Sequence, residues 1–132
     1  MQCRNIVVVG ASAGGIEALQ QIVRELPGNL AAALFVTVHF PETGTSLLPE
    51  ILSRAGTLPA VHALDGEAIV PGRIYVAPPD YHLLMNDSTI RLSRGPRENG
   101  HRPAVDPMFR SAAVAYGARV IGVVLSGNQD DG

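Results

Sequence analysis

Residues 5 to 15 constrain the fold more than any other part of the chain. A β-branched run from Asn5 to Val9 leads straight into the glycine-bounded turn Gly10-Ala11-Ser12-Ala13-Gly14-Gly15. A short, unbroken apolar run of this kind reads as a strand buried on both faces, the habit of parallel sheets whose faces are covered by helices. Ile16, Leu19, Val23 and Leu26 then recur at three- and four-residue steps. That spacing puts one apolar stripe on a helix, which Pro27-Gly28 ends. Strand, tight turn and helix in this order open an α/β domain.

The unit repeats. Ala33 to Val38 is a second apolar run of strand length, followed by His39 and then by Pro41, which disfavours direct continuation. Leu47, Leu48, Ile51 and Leu52 predict a second helix to about Arg54, with Gly56 available as its C-terminal cap. Short extended segments are expected at Ala60 to His62 and Arg73 to Ala77, separated by Asp65-Gly66 and Pro71-Gly72 turns. Tyr81 to Met85 and Thr89 to Leu92 flank Asn86-Asp87-Ser88, which predicts an antiparallel hairpin. Asp106 followed by Pro107 reads as a capping side chain and a first helical position, with the helix running to about Tyr116 and Gly117 closing it. Arg119 to Leu125 supplies a last strand, and the loop from Ser126 to Gly132 follows it. The expected fold is α/β: a mainly parallel, Rossmann-like doubly wound sheet with right-handed crossovers and an inserted antiparallel hairpin.

At 132 residues the chain fits a single domain, 1–132, and its 46% hydrophobic against 17% charged content supports a buried core. The net charge of −2 provides no broad basic field, so nucleic acid is not an expected partner. Arg91, Arg94, Arg97 and Arg102 cluster around the polar stretch Leu92 to Pro103, either as a solvated loop or as a docking patch for an acidic partner. Cys3 is the one cysteine, which rules out an internal disulfide and suits a reducing compartment. The run Ile6 to Val9 is far short of the roughly 20 residues that span a bilayer, and no signal-peptide pattern precedes it. A cytoplasmic location without membrane insertion is the expectation.

Ligands of open parallel sheets bind beyond the carboxyl ends of the strands, where Ser12, His39 and Asp131 lie. Gly10-Ala-Ser12-Ala-Gly14 fits G-x-S-x-G, in which a sharp, strained strand-to-helix turn holds a serine out to substrate beside the positive end of a helix. The same pattern also suits a phosphate cradle. A nucleotide-binding module is therefore the alternative, although the turn lacks G-x-G-x-x-G spacing and no acidic residue ends the second strand. Serine needs a general base, and the base needs an orienting group. His39 is the leading base because it sits one residue past the second strand; His62, His82 and His101 follow no convincing parallel strand. Asp65, Asp80 and Asp87 stand in turns, and Asp106 has a capping role. Asp130 and Asp131 are the acids that follow the last long strand, and spacing does not choose between them.

Several motifs, in order from Ile6 to Gly132, carry a family resemblance. They are Val-Gly-Ala-Ser12-Ala-Gly-Gly, Val-His39-Phe-Pro, Gly-Arg-Ile-Tyr-Val-Ala-Pro-Pro, His82-Leu-Leu, His-Arg-Pro-Ala-Val-Asp-Pro-Met-Phe-Arg-Ser-Ala-Ala and Leu-Ser-Gly-x-x-Asp-Asp131-Gly. Together they resemble the catalytic domain of CheB chemotaxis methylesterases. The resemblance implies a triad of Ser12, His39 and Asp131, and so selects Asp131 over Asp130. It also implies hydrolysis of glutamyl γ-methyl esters on the cytoplasmic helices of methylated chemoreceptors, with deamidation of particular glutamines in some members, and no cofactor or metal. A receptor-binding adaptor without hydrolysis is the remaining alternative.

Three departures bear on that resemblance. Ala13 stands where many members have threonine. Gly127-Asn128-Gln129 stands where others have Gly-Met-Gly, leaving the Asn128 backbone N–H as the expected oxyanion donor. Strand one begins almost at Met1, so no receiver domain is expected to precede it, and a separate response-regulator protein becomes an allowed partner. The resembled family also continues beyond the glycine matching Gly132, so truncation at the C-terminus is expected.

Overall fold

The computed structural model describes residues 5–39 and 47–126. Five strands form one parallel sheet, and two more form a separate antiparallel pair. The central strand β1 is Asn5–Ser12, with β2 (Ala32–His39) on one side and β7 (Val120–Leu125) on the other. The short strands β3 (Ala60–His62) and β4 (Ile74–Val76) extend the sheet beyond β2. The hairpin strands are β5 (His82–Met85) and β6 (Ile90–Ser93). The expected α/β architecture with its inserted hairpin is what the chain adopts.

Helices α1 (Ile16–Glu25) and α2 (Leu48–Ala55) cover one face of the sheet, burying Leu19, Val23, Leu48 and Leu52 against Val9, Leu34, Val36 and Ile74. Helix α3 (Val105–Tyr116) and the hairpin cover the other. There Met108, Ala112 and Tyr116, spaced four apart, meet Ile6, Val8, Phe35 and Tyr75. Burying each large side chain of this kind contributes about 1.5–3 kcal/mol. Tyr116 also ties the hairpin to α3, because its hydroxyl accepts from the Ser88 N–H at 2.8 Å and donates to the Asn86 carbonyl at 3.3 Å.

Two local expectations need correction. Strand β1 does not stop at Val9. Gly10 and Ala11 pair with Thr37 and Val38 on one side and with Val124 and Leu125 on the other, and this two-sided pairing carries the strand on to Ser12. Ser12 consequently has ordinary extended backbone, φ −82° and ψ 167°, and the turn after it is an unstrained 3-10 segment, Ala13–Gly15. Asp106 does not cap α3 either. The helix begins at Val105, two residues before the expected first position Pro107, so Asp106 lies inside its first turn and Ala104 occupies the N-cap with no side-chain cap bond.

Gly10 and Gly15 are required by close packing. A β-carbon on Gly10 would lie 2.5 Å from Val105 Cγ1, and one on Gly15 would lie 2.9 Å from the Leu125 carbonyl oxygen. Gly10 thus lets the start of α3 settle directly on the end of β1. Gly10→Ala should cost about 1–3 kcal/mol of stability, because the stiff valine has no room to give. In a Val105→Ala background the same change should cost less than about half as much. Urea unfolding of the four proteins in this cycle measures both quantities.

Candidate active site

Ser12 and His39 end neighbouring parallel strands as partners in register. Such strands lie about 4.8 Å apart, and residues in register on parallel strands project to the same face. That face is the one under α3, since Gly10 abuts Val105 and the Thr37 hydroxyl donates to Met108 Sδ at 3.3 Å, each two residues earlier on its strand. His39 is therefore the last residue of β2 rather than one past it, because its backbone still pairs with Ser12. The chain leaves β1 for β2 and returns on the other side of β1 as β7, so Ser12 also stands where the strand order reverses.

Ser12 is exposed and His39 half-buried. The His39 Nε2 atom is shut off from solvent and makes no hydrogen bond among the described residues. His62 Nε2 is in the same state, so the unbonded nitrogen singles out His39 only together with its register beside Ser12. Burial is the main influence holding the His39 pKa below the ordinary 6.5; the nearby His101 lowers it further, and the Asp106 carboxylate opposes both. At neutral pH the ring is consequently a free base with an available lone pair.

His101 is the neighbour of His39 that strand-based reasoning does not single out. Its ring lies flat on that of His39, with centroids 3.9 Å apart and planes 3° from parallel. It gets there through a two-residue turn. Asn99 and Gly100 both have positive φ, 53° and 81°, and Glu98 and His101 exchange backbone hydrogen bonds of 3.0 and 2.9 Å. Asn-Gly with positive φ at both positions is the preferred composition of a tight hairpin turn, and this dipeptide was the available signal. Arg110 Nη2 of α3 holds the turn by donating to both Glu98 oxygens, at 3.0 and 2.8 Å.

The other histidines have different roles. His82 is buried, accepts from the Ala104 N–H at Nδ1 and bonds the Pro96 carbonyl through Nε2 at 2.8 Å, so it is a structural clamp. His62 does end a parallel strand, contrary to expectation, because β3 pairs with β4. It is level with Val76 and, through it, Val36, three positions short of His39 and two strands away. It cannot meet Ser12. Three of the four arginines converge on Asp80: Arg102 at 2.8 Å, Arg94 at 2.8 Å and Arg97 at 3.7 Å. The Arg102 hydrogen bond is the main cause holding the Asp80 carboxyl below its usual range, with the three guanidinium charges adding to it. Arg102 also donates to the Arg94 and Gly95 carbonyls, which makes it a brace for the loop. A groove of about 560 Å³ between hairpin and α3 is lined by Arg91, Arg110 and Val114 among others, but by neither Ser12 nor His39.

Asn128, Asp130 and Asp131 lie outside the described residues. Leu125, after which the chain leads toward them, pairs with Ala11 next to Ser12. Among the described residues no group of three or more acidic, cysteine or histidine side chains could hold a metal ion. None of the described helices is long and apolar enough to cross a membrane.

The CheB methylesterase family model matches residues 7–132. The chain belongs to the CheB methylesterase family. The solved catalytic domain of the Thermotoga maritima CheB methylesterase superposes with a TM-score of 0.87 at 37% identity, covering 97% of this chain and 70% of that one. A protein-glutamate methylesterase/protein-glutamine glutaminase of Paramagnetospirillum magneticum is 41% identical over 97% of this chain. Another, from Methanosarcina acetivorans, is 39% identical over 98%. The chain spans 35% and 38% of those two relatives' lengths. Family membership favours the esterase reading of the glycine turn over a nucleotide cradle.

His82 and His39 should separate cleanly by stability. His82→Ala leaves the Ala104 N–H and Pro96 carbonyl without partners and should cost about 2–4 kcal/mol. His39→Ala breaks no Nε2 hydrogen bond and should cost about 1 kcal/mol or less. Urea denaturation of both variants checks the difference.

Proposed function

We propose that this chain is the catalytic part of a protein-glutamate methylesterase that acts on methylated glutamyl side chains of chemoreceptor cytoplasmic helices. The observation that carries the reading is the buried, unbonded Nε2 of His39 on the strand end in register with Ser12. Ser12 Oγ attacks the ester carbonyl while His39 Nε2 takes its proton. The tetrahedral intermediate forms beside the 3-10 turn and the start of α1, whose positive end favours an oxyanion; the Asn128 backbone N–H is the second donor in this scheme. Collapse expels methanol, which receives the proton from His39 and leaves an acyl-serine. Water, deprotonated by the same nitrogen, then releases the glutamate carboxylate. Attack on a glutamine amide would follow the same course and expel ammonia.

Asp131 is the orienting acid in this scheme, on the strength of its motif. Asp106 is a second reading for that role, favoured by the influence of its carboxylate on the His39 charge. Asp131→Asn should lower kcat by about 10³-fold or more, with Asp106→Asn within about tenfold of the native enzyme. The reverse ranking would transfer the role to Asp106. The cytoplasmic location and a separate response-regulator partner belong to this proposal as well.

Methanol release from methylated receptor should fall by about 10³-fold or more in Ser12→Ala while folding is kept. A fluorophosphonate probe should label the native chain and spare that variant. Failure of the native chain to react or to release methanol would leave a receptor-binding adaptor. Because burial holds the His39 pKa down, kcat/KM should stay level near neutrality and fall only as acid protonates the ring, with a midpoint below 6.5. A pH profile of kcat/KM between 4.5 and 8 reads the midpoint directly, taking about that span to bracket it.

A further inference from the structure

We infer that His101 is a positioning residue for His39: its imidazole forms a wall of the site, lies flat on the His39 ring and fixes the plane in which the unbonded Nε2 is offered. The inference rests on the reading of His39 as the base. Its geometric support is independent of that reading, because a 3.9 Å stack only 3° from parallel leaves the two rings little freedom to tilt against each other.

The turn that carries His101 is built to hold it. Its backbone is bonded twice to Glu98, Glu98 is tied to Arg110 on α3, and the next residue, Arg102, is fixed to Asp80. A ring at the end of a free loop could not hold its neighbour in one plane; a ring anchored on both sides can. The stack has an electrostatic side too. Among the described residues, the charged or titratable groups acting on His39 are His101 from the turn and Asp106 from the first turn of α3. Two imidazoles this close cannot readily both carry a proton, so the stack opposes the imidazolium form of His39 from one side while Asp106 supports it from the other. Removing the His101 nitrogens should release only the opposing half.

The test follows the His39 ring itself. In the full 132-residue chain, side-chain NMR titration gives the His39 midpoint in native, His101→Phe and His101→Ala proteins, and needs no turnover. His101→Phe keeps a flat ring without a second proton site, so the His39 midpoint should move upward, toward the ordinary histidine value. His101→Ala should move it upward as well and should also lose the wall. In that variant kcat for methanol release should fall by about tenfold with KM little changed, and His101→Phe should restore most of the kcat. An unchanged His39 midpoint in both variants overturns the inference, as does a native kcat in His101→Ala. If Ser12→Ala still hydrolyses the ester, the reading of Ser12 as nucleophile and His39 as its base fails, and the NMR arm still decides whether His101 governs the His39 ring.

Discussion

Everything at the site depends on the parallel pairing of β1 with β2. Eight consecutive pairs, from Asn5 with Ala32 to Ser12 with His39, put a hydroxyl and an imidazole on the same face at the same height. A slip of one residue would turn His39 to the α1 and α2 face, away from Ser12. The register is guarded by burial on both sides: Val8 and Phe35 pack under α3 and the hairpin, whereas Val9 and Val36 pack under α1 and α2. A slipped sheet would misplace both cores at once, so the packing that stabilises the domain also keeps Ser12 level with His39.

Close backbone approach is the second constraint. Gly10 brings α3 down onto the end of β1, and α3 in turn anchors the turn that carries His101 through Arg110 and Glu98. That ion pair is exposed, and pairs of its kind contribute little stability. Its value lies in placement. The buried clamp at His82 works in the same direction, joining the loop at Pro96 to the N-cap of α3 at Ala104. The second face of the sheet thus carries, besides its core, the parts that bring a distant loop to the end of β2.

The arginines around Asp80 illustrate how a surface feature changes meaning in three dimensions. As a string, Arg91 to Arg102 is a positive cluster that suits an acidic partner. In the fold, Arg102 is mostly enclosed, with 14% of its side chain accessible, and spends its donors on Asp80 and two carbonyls; Arg94 and Arg97 share the same carboxylate. Part of that charge serves the loop, which ends at the His101 turn.

How much was legible beforehand follows from how local each signal is. Strand runs, helix stripes and glycine stops depend on residues within a few positions of one another, so the element order could be read from the chain. So could Ser12 and His39 as strand-end residues. The end of β1 was misjudged because Gly10 and Ala11 have weak strand preference of their own, and neighbours on both sides pull them into the sheet. Asp106 does not cap α3 because the helix starts ahead of it, at Val105 packed over Gly10, nearly a hundred positions away in sequence. His101 was set aside because no strand precedes it, although Asn99-Gly100 marked the turn. By itself the sequence determined the elements, their order and the chemical types at the strand ends, since these follow from periodicity and backbone preference. Only the tertiary structure decided which histidine ring lies flat on that of His39 and which is a clamp. Those roles depend on contacts between segments that sequence separates widely, and packing alone brings them within reach.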